Sequence, residues 1–383
     1  MAGRARVRAA PPSTRPVRPT PRRAEPPARS GTDGACALLC GAQGDAMRDV
    51  IVLGGSRGAF AVLRQLAGAL PGGLQAAVFL VLHIGKHPTQ LAELLTSWGP
   101  VPATFARDGE TWETGRIYVA PPDCHMTVTR ESIQLSRGPK ENFSRPAIDP
   151  LFRSAAVALR ERVVGCILSG DLDDGAAGLA FVRAYGGCAV VQDPADADAR
   201  SMPTAALAAA GGGTVVPARA LAATLVELVS ASPDTDATGA AADATSRGDA
   251  AMERDLGALG TETSIGAHSH AGFDMLDTIG ARVPLTCPEC GGTMWQLRDA
   301  HPLRFRCHTG HAFSALTLSS SADKVAEDAV WNAIRIQKEK AMLARMRAHE
   351  ARLAGDQERF HIEASRVRQC ERVLSILEQA LSD

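Results

Sequence analysis

Val50-Ile-Val-Leu-Gly-Gly-Ser-Arg-Gly-Ala-Phe60 is the stretch that decides how this chain folds. A continuous apolar run ends in two glycines, a serine follows, and an amphipathic pattern begins at once. Such a run reads as a strand buried on both faces, feeding a tight turn at a helix N-terminus. Ser56 then stands at the edge of a sheet. Two kinds of protein use a turn of this type: a serine hydrolase presents a nucleophile on it, and a nucleotide-binding fold cradles a pyrophosphate with it.

Working outward, apolar strands alternate with amphipathic helices as far as about Leu228. Strands are predicted at Val50 to Leu53, Ala77 to Leu82, Arg116 to Ala120, Val163 to Leu168, Ala189 to Gln192 and Thr214 to Val216. Helices are predicted notably at Ala59 to Leu70, Gln90 to Trp98, Ile148 to Leu159 and Ala176 to Ala184. This alternation predicts a doubly wound, mostly parallel α/β sheet covered on both faces. Arg116 to Ala120, with His125-Met-Thr-Val-Thr and Ser132-Ile-Gln-Leu, reads as a hairpin-type insertion beside that sheet.

The strand ends separate the two uses of the opening turn. A dinucleotide fold wants an acidic residue after its second strand, whereas here that strand ends Leu80-Val-Leu-His83. The short-chain dehydrogenases that the glycine turn resembles also need a tyrosine with a lysine four residues on. Tyr118 has Pro122 at that spacing and Tyr185 has Ala189, and the chain has no other tyrosine. A hydrolase makes better use of the same residues. Ligand sites in open α/β sheets lie at the carboxyl ends of strands. Ser56, His83 and the carboxylates of Ser169-Gly-Asp-Leu-Asp-Asp-Gly175 all arrive there, supplying a nucleophile, a base and an orienting acid.

Composition bounds what else the protein does. The chain has 383 residues and a formal net charge of −1, so no global basic field points to nucleic acid. Residues 1–46 are rich in Arg and Pro and read as a disordered basic arm, since they offer little apolar surface to offset ordering. A presequence, or an arm for an acidic partner, is the functional alternative. No run in the arm suits a signal peptide or a membrane span. The nine cysteines are scattered, which fits a reducing cytoplasm. His87, Cys124 and His125 read as structural rather than metal-binding.

Several blocks together resemble the catalytic domain of the chemotaxis protein-glutamate methylesterases: Gly54-Gly-Ser56-Arg-Gly58, Leu82-His83, Tyr118-Val-Ala-Pro-Pro-Asp123, Arg145-Pro-Ala-Ile-Asp149-Pro-Leu-Phe152, Leu168-Ser-Gly-Asp-Leu-Asp-Asp174-Gly, Gln192-Asp-Pro and Ser201-Met-Pro203. The resemblance runs in order through a domain expected at 47–231. It implies hydrolysis of glutamyl methyl esters on chemoreceptors, with some glutamine deamidation and no catalytic cofactor. It implies Ser56 as nucleophile, His83 as general base and Asp174 as orienting acid, Asp174 being the aspartate directly before Gly175. Backbone N–H groups near Ser56 and the Gly170 loop are candidate oxyanion donors. Arg57 stands where the family usually has Thr, and Asp171-Leu172 replaces the usual Met-Gly. No receiver domain is expected within residues 1–46, which are too short and polar to fold. Asp149 reads as a helix N-cap before Leu151-Phe152, with a share in the substrate groove as the alternative.

Residues 232–275 read as a flexible linker. Cys287-Pro-Glu-Cys290 and Cys307-His308-Thr-Gly-His311, expected within a zinc-ribbon-like module at 276–318, have metal-ligand spacing. Cys287, Cys290, Cys307 and His311 are the expected ligands of a structural zinc, with His308 in reserve. Residues 319–383 read as two antiparallel helices or one helix broken near Gly355, solvated or in coiled-coil contact with a partner. The leading expectation is a cytoplasmic protein-glutamate methylesterase acting on methylated chemoreceptors or similar signalling proteins, with no nucleic acid and no membrane insertion. The alternative is a regulatory or scaffold protein that retains the fold.

Overall fold

The first strand, β1 (Val50–Gly55), is buried along its whole length. Its alternate residues feed different cores because successive side chains point to opposite faces. Ile51 and Leu53 pack with Leu63, Leu66, Leu91, Leu95 and Leu225, whereas Val50 and Val52 pack with Leu151, Phe152, Leu179, Val182 and Met202. A sheet covered on both faces is the result, as the unbroken apolar run predicts. The structure, a computed structural model, describes residues 47–231, 260–265, 273–298 and 300–381. The basic arm at 1–46 lies outside the described residues.

The main sheet adds β2 (Ala77–Leu82), β3 (Ala103–Phe105), β4 (Ile117–Val119), β7 (Val163–Ile167), β8 (Cys188–Gln192) and β9 (Thr214–Val216) to β1. Its order is β3-β4-β2-β1-β7-β8-β9, with every pair parallel. The helices α1 (Ala59–Ala69), α2 (Leu91–Trp98) and α6 (Leu221–Ser230) cover one face. The other carries α3 (Ile148–Leu159), α4 (Ala176–Ala184) and α5 (Ser201–Ala209). The chain winds outward from β1 on one side and, starting from β7, on the other. Winding therefore reverses between β1 and β7, the crevice where open α/β sheets place their sites.

Three expectations change. Ile117–Val119 pairs inside the main sheet, between β2 and β3, so the hairpin beside the sheet consists of β5 (His125–Val128) and β6 (Ile133–Ser136) alone. The expected linker contains a short helix over 260–265 (α7), whose Glu262 and Ile265 are buried, and α8 (Phe273–Ile279). One acidic side chain, Glu262, paired with buried arginines, and one apolar side chain, Ile265, in a small core anchor that part of a polar stretch. The remainder of 232–272 lies outside the described residues. Third, the long C-terminal helix begins at Ala315 rather than 319, capped by the Ser314 side chain on the Thr317 N–H.

Beyond α8, β10 (Gly280–Thr286), β11 (Thr293–Leu297), β12 (Arg304–Cys307) and β13 (Ala312–Ser314) form an antiparallel sheet. Helices α9 (Ala315–Leu353) and α10 (Gln357–Gln379) follow, and Gly355 at φ +72° turns the chain between them. Ion pairs Arg345–Glu371 and Lys338–Glu378 run in opposite sequence directions, so the two helices are antiparallel.

Candidate functional site

Ser56, His83 and Asp174 follow three adjacent strands, β1, β2 and β7. The β1–β2 register ends at Gly55 opposite Leu82, so the next residues, Ser56 and His83, lie side by side. The His83 N–H donates to the Gly55 carbonyl at 3.2 Å. The Ser56 N–H donates to the Ser169 carbonyl at 2.9 Å, tying the serine turn to the end of β7. The Ser169 hydroxyl then donates to the Arg57 carbonyl at 2.8 Å and accepts from the Ala199 N–H at 2.9 Å. Gly58 sits at φ +82°, and a Cβ there would lie 2.5 Å from the Ser169 hydroxyl, so only glycine fits the turn.

Asp174 is 2% exposed and fully hydrogen-bonded. One carboxylate oxygen accepts from His83 Nε2 at 2.9 Å and from the Ile148 N–H at 2.7 Å. The other accepts from Asn142 Nδ2 at 3.0 Å and from the Asp149 N–H at 3.3 Å. Burial pushes the acid's pKa up. The His83 hydrogen bond and charge, the Ile148 N–H and the Asn142 amide outweigh burial and hold Asp174 below the ordinary carboxylate range. Asp149, buried beside it, goes the other way: burial first, then the Asp174 charge, pushes it up to about 8. The charge of this pair therefore resides on Asp174, the member that faces His83.

With Nε2 bonded to Asp174, His83 keeps Nδ1 as its basic nitrogen. The hydroxyl within hydrogen-bond distance of Nδ1 among the described residues is that of Ser144, at 3.5 Å. Half-buried Ser56 makes no side-chain hydrogen bond to a described residue. The serine–histidine contact is thus open, whereas the histidine–aspartate contact is formed. Catalytic hydrogen bonds commonly tighten only when substrate is bound.

Other residues marked in the sequence fall into place around this core. Arg57 and Asp171, both departures from the family pattern, pair with each other through two contacts of 2.6 and 2.7 Å at the exposed rim. Asp173 points away from His83 and accepts from the hydroxyls of Ser314 at 2.6 Å and Thr317 at 2.8 Å. Asp149 is not a helix cap: Ala147 occupies that position of α3, and the Asp149 carboxylate accepts from the Gly178 N–H at 2.7 Å and from Asn142 at 3.2 Å. It is also too buried to line a groove. The Gly170 N–H donates to the Ala199 carbonyl at 3.0 Å, which removes it from the candidate oxyanion donors. His125 is buried with both ring nitrogens bonded, to Pro139 O and the Ala147 N–H, and His87 is exposed. Asn142 and Ser144 carry no motif that would mark them in the sequence. The one local hint is that asparagine tolerates the left-handed backbone, and Asn142 adopts φ +50°.

In the second module, Cys287, Cys290, Cys307 and His311 offer donor atoms that all lie within 4.8 Å of one another. The Cys290–Cys307 sulfurs are 3.7 Å apart, and His311 Nδ1 is 3.7 Å from Cys287 Sγ and 3.5 Å from Cys307 Sγ. A tetrahedral ion with metal–sulfur bonds of about 2.3 Å separates its sulfurs by about 3.8 Å, so the cluster fits such an ion. Gly291, at φ +71°, lets its N–H return to the Cys287 carbonyl at 2.7 Å and closes the first ligand loop. His308 is not in the cluster, because its ring stacks on Phe273 at 5.6 Å.

Known proteins share part of this sequence. The family described as CheB methylesterase matches residues 51–225, the segment holding Ser56, His83 and Asp174. A protein-glutamate methylesterase/protein-glutamine glutaminase of Paramagnetospirillum magneticum is 36% identical over 186 residues, 47% of this chain and 49% of that protein. A Leptospira interrogans protein provisionally named for the same two activities is 34% identical over 163 residues, 42% of this chain and 84% of its own. The chain thus spans about half the length of the first relative and most of the second. The Thermotoga maritima CheB methylesterase catalytic domain has a crystal structure that overlays with a TM-score of 0.46 at 29% identity, over 47% of this chain and 98% of that one. With the Leptospira relative matched over 84% of its length at 34% identity, the chain belongs to the CheB methylesterase family.

Proposed function

We propose that this protein is a protein-glutamate methylesterase of chemotaxis-type signalling, with Ser56, His83 and Asp174 as its catalytic triad. The buried His83–Asp174 hydrogen bond at the β1/β7 crevice, with Ser56 on the adjoining strand end, carries this reading. Ser56 Oγ attacks the ester carbonyl of a methylated glutamate while His83 Nδ1 takes its proton. Asp174 holds Nε2 and stabilises the imidazolium. His83 then protonates the departing methoxide, and methanol leaves an acyl-serine. Water, deprotonated by His83, attacks that ester, and the proton returns to Ser56 as glutamate departs. A glutamine substrate follows the same path with ammonia as leaving group. The N–H groups of Arg57 and Gly58, at the start of α1, have no acceptor among the described residues and are suited to receive the oxyanion.

The substrates would be methylated chemoreceptors or similar signalling proteins, met in the cytoplasm. No helix among the described residues is long and apolar enough to cross a membrane. Cys287, Cys290, Cys307 and His311 would hold a structural zinc, since four protein donors close the coordination sphere. Near-zero zinc in purified protein would remove that claim.

Methanol release from a methylated receptor tests the enzyme reading. Ser56→Ala should lower turnover by about a thousandfold or more. Ser144→Ala should stay within about tenfold of wild type, because Ser144 lies off the strand-end turn. The reverse ranking would transfer the nucleophile to Ser144. Wild-type turnover no faster than Ser56→Ala would favour the alternative, a scaffold that retains the fold.

A further inference from the structure

One donor to Asp174, Asn142, is itself held from outside the region that the family model matches. Asn142 donates to Asp174 at 3.0 Å and to Asp149 at 3.2 Å. Its own amide oxygen accepts from the Ser314 N–H at 2.9 Å, and its backbone N–H donates to the Ala312 carbonyl at 2.8 Å. Ala312 and Ser314 form β13, which begins directly after the metal-cluster residue His311. On the other side of the acid, Asp173 accepts from Ser314 and Thr317.

The grip continues around the loop that carries Asn142. Glu141 pairs with Arg306 at 2.8 Å, Phe143 packs on Phe313 with ring centroids 4.8 Å apart, and Lys140 pairs with Glu289 at 2.8 Å. Every residue from Lys140 to Phe143 therefore has a partner in the C-terminal module. Asparagine tolerates the left-handed backbone, and the module's contacts hold Asn142 in that conformation.

We propose that Asn142 is the positioning residue of the catalytic acid, and that the C-terminal module completes the catalytic centre by holding Asn142 through Ala312 and Ser314. This rests on the reading of Asp174 as the triad acid. Asn142 does not touch the substrate. It fixes the direction of the Asp174 carboxylate and keeps the charge on the oxygen pair that serves His83. The module is then a working part of the esterase rather than an appended domain.

The test uses the full-length chain and methanol release. Asn142→Gly suits the positive φ and removes the side chain with its bonds to Asp174, Asp149 and the Ser314 N–H. It should lower kcat by about 10- to 100-fold, the worth of one hydrogen bond to a charged group, while KM stays within about twofold. The acid limb of the kcat/KM profile should move to higher pH, since Asp174 with one donor fewer takes up a proton more readily. A second pair of variants isolates the module's share. Ser314 has φ −72°, which proline adopts, so Ser314→Pro removes the N–H that Asn142 accepts, whereas Ser314→Ala removes only the hydroxyl. Ser314→Pro should fall about tenfold below Ser314→Ala in kcat. Wild-type kcat and pH profile in Asn142→Gly, or equal rates for the two Ser314 variants, would overturn the proposal while a dead Ser56→Ala left the triad standing. Undiminished turnover in Ser56→Ala would overturn both together.

Discussion

Asp149 and Asp174 share one amide donor and differ in charge, and the difference gives the protein a pH signature. A carboxyl raised to about 8 in the fold stays protonated there while its unfolded counterpart ionises near 4. Between those values the folded state binds the extra proton, so the Asp149 contribution to stability falls as pH rises from about 4 to about 8. Asp149→Asn removes the titration. The stability of the variant relative to wild type, followed by urea unfolding, should therefore increase with pH across that window. A constant difference would show that Asp149 is ionised in the fold. The rim pair Arg57–Asp171 belongs to another class: both side chains are more than half exposed, and water screens their attraction. Asp171→Asn should leave the unfolding midpoint unchanged. Its effect belongs to substrate binding, since Arg57 directly follows Ser56, the proposed nucleophile.

At the scale of elements, the interface between α3, α7 and β12 is built on charge. Arg153, Arg304 and Arg306 surround Glu141 and Glu262, all of them buried, with N–O distances of 2.6 to 3.4 Å. Burial raises both acids, but Arg153 and Arg306 outweigh it at Glu141, which lies well below the carboxylate range, and Arg304, Arg153 and Arg306 outweigh it at Glu262, which falls to about 2. A depressed acid contributes stability above its unfolded pKa, near 4.3, and loses it as pH falls through the folded value. Docking of β12 should therefore weaken below about pH 4. Glu141→Gln keeps the shape of the side chain and leaves Arg153 and Arg306 short of an anion. It should cost about 3–5 kcal/mol in urea unfolding, as expected when one partner of a buried ion cluster is removed. A loss under about 1 kcal/mol would mean that water reaches the cluster.

For the molecule as a whole, a chelator that removes the proposed zinc from the cysteine cluster should loosen Cys287 to Ser314. Hydrogen exchange would register this as lost amide protection there, with β1, β2 and β7 unaffected. Equal protection with and without chelator would deny the ion a structural role. Much of this organisation is legible in the sequence, for definable reasons. The unbroken apolar runs require strands buried on both faces, the glycine-flanked Ser56 requires a strand-to-helix turn, and the ends of β2 and β7 deliver His83 and Asp174 to the same edge. The spacing of Cys287, Cys290, Cys307 and His311 likewise suffices to foresee their cluster. These features depend on local pattern and strand direction, which the order of residues specifies by itself. Other features depend on contacts between segments far apart in the chain, for which no local pattern exists. Asn142 meets Ser314 across 172 positions, and Arg306 meets Glu141 across 165. Glu262 lies in a stretch that is polar and reads as linker until its three arginines arrive from α3 and β12. The turn, the sheet and the edge that carries the proposed triad were thus determined by the sequence itself. Which donors hold the acid, and that a separate module supplies their support, was decided only by the tertiary structure, because burial and charge pairing exist only once distant segments have met.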